Sequence, residues 1–180
     1  MKTLGDIKKQ TFALIEELNP NSPNLTDDPD ISAKANYVIN MVQNELARMK
    51  KIGRYEERAV TKGEIINSTD FDRFYQFGTI KGVDHDFKAN GTMVKFLGDG
   101  TAEIDYYVLP APIDADTDDS YEFELSEDCL EILPYGVAAD LLKSDVSAEY
   151  GSVYATRYEN MLQRLDPRNH LTSVVIEGGW

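Results

Sequence analysis

The hydrophobic period of this chain changes twice, and that change restricts it to a helical fold with a sheet set into it. Apolar side chains recur every three or four residues over Thr3–Leu18 and again over Pro29–Ile52. From Arg54 to about Tyr121 the stripe disappears; residues alternate, and turn formers punctuate them. The helical period returns over Ser126–Leu165. A helix repeats every 3.6 residues and a strand every two, so one stretch cannot satisfy both.

In the first stretch Leu4, Ile7, Thr11, Leu14 and Leu18 fall on one stripe. Thr3 is placed to cap it, with Asp6 reciprocating from the third helical position. Asn19-Pro20 stops it, because a residue before proline avoids the α region. Asp28 and Pro29 then form a cap and first-position pair. The second helix is expected to run to about Ile52, with Ile31, Ala35, Val38, Val42, Leu46 and Met49 inward and Gly53 as the left-handed residue past its end. Arg48, Lys50 and Lys51 crowd its last turn, where the helix dipole favours cations.

Ser126 is the expected cap of a third helix carrying Leu130, Leu133, Val137 and Leu141 on one stripe. Pro134 either bends this helix or marks its start. A break at Ser144-Asp145 leads to a fourth helix with Tyr150, Tyr154, Tyr158, Met161 and Leu165 in register. Helices with one oily side are unstable alone and must pack on other helices.

Between the helix pairs the expected strands are Tyr55–Val60, Phe74–Ile80, Met93–Leu97 and Ala102–Leu109. Asn90-Gly91 and Gly98-Asp99-Gly100 are hairpin signals, and Pro110 and Pro112 end the sheet. Asp114–Ser120 reads as a charged linker back to the helices. The fold class is therefore α+β: a four-helix bundle built from the N- and C-terminal parts, an inserted antiparallel β module and an extended C-terminal tail. The corresponding segments are residues 1–53, 54–121, 122–165 and 166–180. A chain of 180 residues can bury roughly 70% of its unfolded surface, so no covalent staple is needed. The single cysteine, Cys129, excludes an internal disulfide framework. The first apolar run, Phe12–Ile15, is too short for a signal sequence or a membrane span, so the protein is expected to be made in a cytoplasm.

The net charge of −14 is unevenly distributed. Between Asp99 and Glu131 there are twelve acidic residues and no Lys or Arg, whereas Arg48–Lys62 holds six basic residues against two acidic ones. An acidic excess serves solubility. It also repels nucleic acid, whose tight binding needs cations that displace counterions. Sequence-specific DNA binding is therefore not expected, while proximity to DNA without tight binding stays open.

Few residue patterns in the chain point to chemistry. In Asp84-His85-Asp86 strand alternation would send His85 away from both aspartates, which suits a solvated turn better than a metal site. His170 has no partner identifiable from sequence. Asp114, Asp116 and Asp118 begin like a calcium loop, but Asp119 stands where the loop needs glycine and Leu125 where it needs a bidentate glutamate. No phosphate loop, nucleophile elbow or paired cysteine motif occurs. Cys129 has no adjacent basic residue to favour a thiolate. The tyrosines at 150, 154 and 158 are either a stacking platform or, as tyrosines at this spacing usually are, core and interface residues. No catalytic residue, cofactor or metal is expected. Leu171, Val174, Val175, Ile176 and Trp180 form an apolar run suited to adding a strand to a neighbour or to an edge of the chain's own sheet.

Two segments carry a family resemblance. EILPYGVAADLLKSD (Glu131–Asp145) and AEYGSVYATRYENMLQRLDP (Ala148–Pro167) resemble the C-terminal helical half of head-to-tail connector, or adaptor, proteins of tailed bacteriophages. In that family a helix with a Gly-x-Ala-Ala-x-Leu pattern, here Gly136–Leu141, precedes one with spaced aromatics ending near Tyr-x-x-x-Leu, here Tyr158–Leu162. The N-terminal helix pair is similar in order and length; the β insert departs from a family that is mostly helical. The resemblance implies a structural virion protein without enzymatic activity or cofactor. It implies a dodecameric ring at the head–tail interface, docked under the portal protein and offering a platform to the next tail-side connector or stopper protein. DNA would pass through the ring without sequence-specific binding, and no membrane is involved. The family comparison gives the tail residues Leu171, Val174, Val175, Ile176 and Trp180 to the portal. Contacts between neighbouring copies are expected at Arg48, Lys51, Arg54, Tyr150, Tyr154 and Arg157, because opposite charges on different faces pair around a ring. Two alternatives stay open: a binding module whose β insert recognises a ligand such as a host-surface glycan, and a metal-dependent hydrolase centred on Asp84–Asp86.

Overall fold

Among the described residues, four α-helices and two small antiparallel sheets give an α+β fold. The computed structural model describes residues 2–82, 87–143 and 148–165. Asp84–Asp86, the break at Ser144-Asp145 and the whole 166–180 segment lie outside the described residues. The helices are α1 (Leu4–Leu14), α2 (Pro29–Lys50), α3 (Glu127–Leu142) and α4 (Ala148–Leu165). The strands are β1 (Ile52–Val60), β2 (Ile65–Asn67), β3 (Phe74–Lys81), β4 (Phe87–Ala89), β5 (Met93–Phe96) and β6 (Gly100–Val108). Contacts divide the chain into a helical unit, residues up to Gln43 and from Ile113 onward, and a sheet unit, Asn44–Pro112. The last two turns of α2 thus cluster with the strands, and Ile113–Tyr121 clusters with the helices.

The start of α1 follows the sequence. The Thr3 hydroxyl accepts from the Asp6 N–H, and the Asp6 carboxylate accepts from the Thr3 N–H at 3.1 Å. Its end does not. The expected helix to Leu18 stops at Leu14, where Glu16 turns left-handed (φ 62°) and the Glu17 N–H reaches back to the Phe12 carbonyl at 2.8 Å. That bond closes the helix in a Schellman arrangement with a glutamate where glycine is usual. Leu18 therefore leaves the stripe and is 36% exposed, while Phe12 joins Leu4, Ile7 and Thr11 inside.

Asp28 and Pro29 begin α2 as expected: the Asp28 carboxylate accepts from the Asp30 and Ile31 N–H groups at 2.8 and 3.2 Å. The helix ends at Lys50, before the expected Ile52, and Lys51 (φ 51°) takes the left-handed turn assigned to Gly53. The reason is sheet pairing: Ile52 and Gly53 are already in β1, opposite Val108 and Tyr107.

The helix α3 departs furthest from a one-sided stripe. Leu130, Leu133, Val137 and Leu141 are buried, and so are Cys129, Ile132, Gly136 and Ala138. Both α1 and α4 pack against it, so it has little solvent face left. Gly136 allows the closest approach. A Cβ there would stand 2.7 Å from the Tyr158 ring and 2.8 Å from Val42. Ser126 holds the cap position, but its hydroxyl does not accept a hydrogen bond from the helix. Pro134 lies within the helix and cannot donate to the Leu130 carbonyl. Lys2 supplies the missing donor, its Nζ lying 3.3 Å from that oxygen.

In the sheet unit β6 lies between β1 and β3, and β5 lies between β2 and β4. The Asn90-Gly91 signal marks the β4–β5 hairpin, closed by Asn90 N–H to the Met93 carbonyl at 3.0 Å. Gly98-Asp99-Gly100 makes no hairpin, because β5 and β6 belong to different sheets. It is a corner, pinned where the Lys62 N–H donates to the Asp99 carboxylate at 2.7 Å. The short strands β2 and β4 have no counterpart in the sequence reading, since three residues show too little alternation. Val60, Ile66, Val94, Phe96, Ala102 and Ile104, drawn from both sheets, share one core with Phe71. Phe71, Phe74 and Phe77 extend it as tilted and edge-on rings with centroids 4.6–5.8 Å apart.

Candidate functional site

The Asp114–Ser120 stretch, expected as a linker, is a strap fastened to α1 and α2. Two asparagines one turn apart on α2 hold its start: Asn36 donates to the Asp114 carbonyl at 2.7 Å, and Asn40 accepts from the Ile113 N–H at 3.0 Å. Its far end serves α1. The first N–H groups of a helix have no internal partner; those of Leu4 and Gly5 donate to the Tyr121 and Asp119 carbonyls, each at 2.9 Å. Gly5 suits this approach, since a Cβ would sit 3.2 Å from that of Asp119. Lys8 adds an ion pair to Asp119 at 2.7 Å, and Ile113, Phe123 and Leu125 anchor the strap in the core.

Two carboxylates of this strap, Asp114 and Asp118, accept from the strap's own residues, while Asp119 pairs with Lys8. Asp114 accepts from the Asp116 N–H and the Thr117 hydroxyl at 3.1 and 2.8 Å. Asp118 accepts from the Ser120 N–H at 2.8 Å, and hydrogen bonding from Ser120 holds its carboxyl below the ordinary carboxylate range. Among the described residues no three metal-ligating side chains come together. No described helix is long and apolar enough to cross a membrane.

The residues expected at a contact between copies divide between the two units. In the sheet unit the Arg48 guanidinium lies over the Tyr75 ring at 6.0 Å and the Lys51 ammonium over the Tyr107 ring at 4.8 Å. Arg54 stands opposite Tyr106 in the β1–β6 register, and Tyr55 beside it is exposed. In the helical unit the tyrosines of α4 part company. Tyr150 is 69% exposed, Tyr154 gives its hydroxyl to the Leu14 carbonyl of α1, and Tyr158 is buried against Gly136. The inner line of α4 is therefore Gly151, Tyr154, Tyr158 and Leu165, with the glycine in the place assigned to Tyr150. Arg157 stacks on Tyr135 of α3 at 4.4 Å, and Tyr150 with Val153, 62% exposed, forms an open apolar spot on the same helix. A groove of about 500 Å3 between α1, α3 and α4 has Tyr135 in its wall, together with Gln10, Leu14, Pro134 and Met161.

The portal-directed residues Leu171, Val174, Val175, Ile176 and Trp180, and His170 with them, lie outside the described residues. Sequence reading missed Lys2, Lys8, Asn36 and Asn40. The last two carried a signal: polar side chains on the inward face of an otherwise apolar helix require a partner. Compared with known proteins, the chain matches no family model and no curated protein.

Proposed function

We propose that this chain is a structural adaptor of a tailed-phage virion, assembling as a ring beneath the portal and presenting a platform to the next tail-side protein. The observation that carries this reading is the union of α1 and most of α2 with α3 and α4 in one helical unit, with the sheet unit set between the two pairs in sequence. Within that unit α3 packs on α1 and α4, Val42 of α2 meets Gly136 of α3, and Tyr154 of α4 bonds to α1. We read these four helices as a bundle. Exposed Tyr150 and Val153 on α4 supply apolar surface for a neighbouring copy, and Arg157, stacked on Tyr135, keeps its charge available on the same helix. The acidic composition supports passage of DNA through the ring without retention, because a wall short of cations releases no counterions from the duplex.

In this reading the 166–180 segment grips the portal through Leu171, Val174, Val175, Ile176 and Trp180. The test is a chain truncated before Leu171. Its circular dichroism and unfolding midpoint are expected to match those of the full chain, and its co-sedimentation with portal rings to disappear. Undiminished portal binding by the truncated chain would remove this role from the segment.

A further inference from the structure

The two sheets of the sheet unit enclose one core: Ala102 and Ile104 of β6 share it with Ile66 of β2 and with Val94 and Phe96 of β5. Their outer faces therefore look in opposite directions, and strand alternation fixes what each face carries. On the β2–β5–β4 sheet Lys95 lies opposite Lys88 of β4 and Ile65 of β2, with Met93 two residues away on the same face. Both lysines are exposed, as are Ile65 (46%) and Met93 (38%). Neither lysine pairs with a carboxylate among the described residues. On the β1–β6–β3 sheet the sign is reversed. Glu57 lies opposite Glu103, and Tyr55, 59% exposed, lies opposite Asp105. Partial desolvation, then the fields of Glu103, Glu57 and Asp105, hold the Tyr55 hydroxyl above its ordinary range. Lys81 faces Glu103 from β3 and offsets one of these carboxylates. Like charges directly opposite one another destabilise a sheet. This unit carries a basic pair and an acidic pair of that kind on opposite faces, each beside exposed apolar or aromatic side chains.

We propose that the face bearing Lys88 and Lys95 docks on the face bearing Glu57, Glu103 and Tyr55 of a second copy of the chain. The contact joins two different surfaces and so propagates head to tail, as a ring of more than two copies requires. Each like-charge pair meets its opposite on the neighbour, and Ile65, Met93 and Tyr55 supply the apolar centre. Nucleic acid is the competing anion for two free lysines, and the chain's net charge of −14 opposes it. The inference rests on the ring assembly proposed above and names one of its contacts.

The test is sedimentation equilibrium of the full chain and of two charge-reversed variants, Lys88→Glu/Lys95→Glu and Glu57→Lys/Glu103→Lys. All four positions are exposed, so the circular dichroism of each variant is expected to match that of the unaltered chain. The unaltered chain is expected to self-associate reversibly, and less so as salt rises. Each variant alone is expected to associate at least about tenfold more weakly, and an equimolar mixture of the two to recover the association, because each reversed face then meets opposite charge on the other variant. Absence of association in the unaltered chain up to its solubility limit, undiminished association in either variant, or no recovery in the mixture would overturn the proposal. So would retardation of duplex DNA that Lys88→Glu/Lys95→Glu abolishes, because the lysine face would then serve a nucleic acid. Co-sedimentation of the same preparations with portal rings separates the two readings. A chain that loads portal without recovery in the mixture refutes the sheet contact alone, and one that self-associates but ignores portal refutes the adaptor.

Discussion

Pro134 and Lys2 show how one residue obliges another far away in sequence. Proline inside α3 leaves the Leu130 carbonyl without its helical donor, and the Lys2 ammonium meets it at 3.3 Å. Lys2→Met is expected to cost about 1 kcal/mol in urea unfolding, the usual worth of such a hydrogen bond. In a Pro134→Ala background the cost should shrink, because the alanine N–H can bond the same oxygen; the coupling is read from the double-mutant cycle. Gly136→Ala is expected to destabilise by about 1–3 kcal/mol, since its methyl would press on the Tyr158 ring and Val42. A lowered denaturant midpoint at unchanged slope would confirm it. None of these constraints was legible in advance: Pro134 was visible in the sequence, but the ammonium that rescues it and the ring that requires Gly136 become visible only once α1 and α4 are packed on α3. Asp6 was legible, as half of a capping box. Its carboxyl is held below the ordinary value of 3.8, chiefly by the Thr3 N–H. A carboxyl depressed in the folded state stabilises fully above its unfolded value and loses that contribution as pH falls through the folded one. Stability should thus drop as pH falls below about 4, and Asp6→Asn should flatten that part of the profile.

At the scale of elements, sequence signals worked where chemistry is local and failed where a neighbour decides. Asp28-Pro29 located the start of α2 because the cap needs only adjacent backbone groups. Asp28→Ala is expected to cost about 0.5–2 kcal/mol, measured by thermal or urea unfolding. The end of α2 was misplaced because Ile52 is claimed by its pairing with Val108, a residue distant in sequence. Gly98–Gly100 looked like a hairpin turn for the same reason: its glycines specify a reversal but not which sheet the next strand joins. The tyrosine spacing of α4 was correct in period and wrong in phase at Tyr150, because the inward place is filled by Gly151, whose missing side chain lets α4 approach Leu142 of α3.

At the scale of the molecule, the order of helix pair, sheet and helix pair could be read from the two changes of hydrophobic period. The strap could not, since its Asp-rich composition is that of a solvated linker and its anchors, Asn36, Asn40 and Lys8, sit on other elements. The adaptor reading makes an architectural prediction: the portal dictates assembly, and the truncated chain should fold but fail to assemble. Electron microscopy of the purified chain mixed with its portal ring tests this most directly. The account predicts a second ring of density coaxial with the portal for the full chain, and bare portals when the chain stops before Leu171. Bare portals in both preparations, with the chain folded in each, would contradict it.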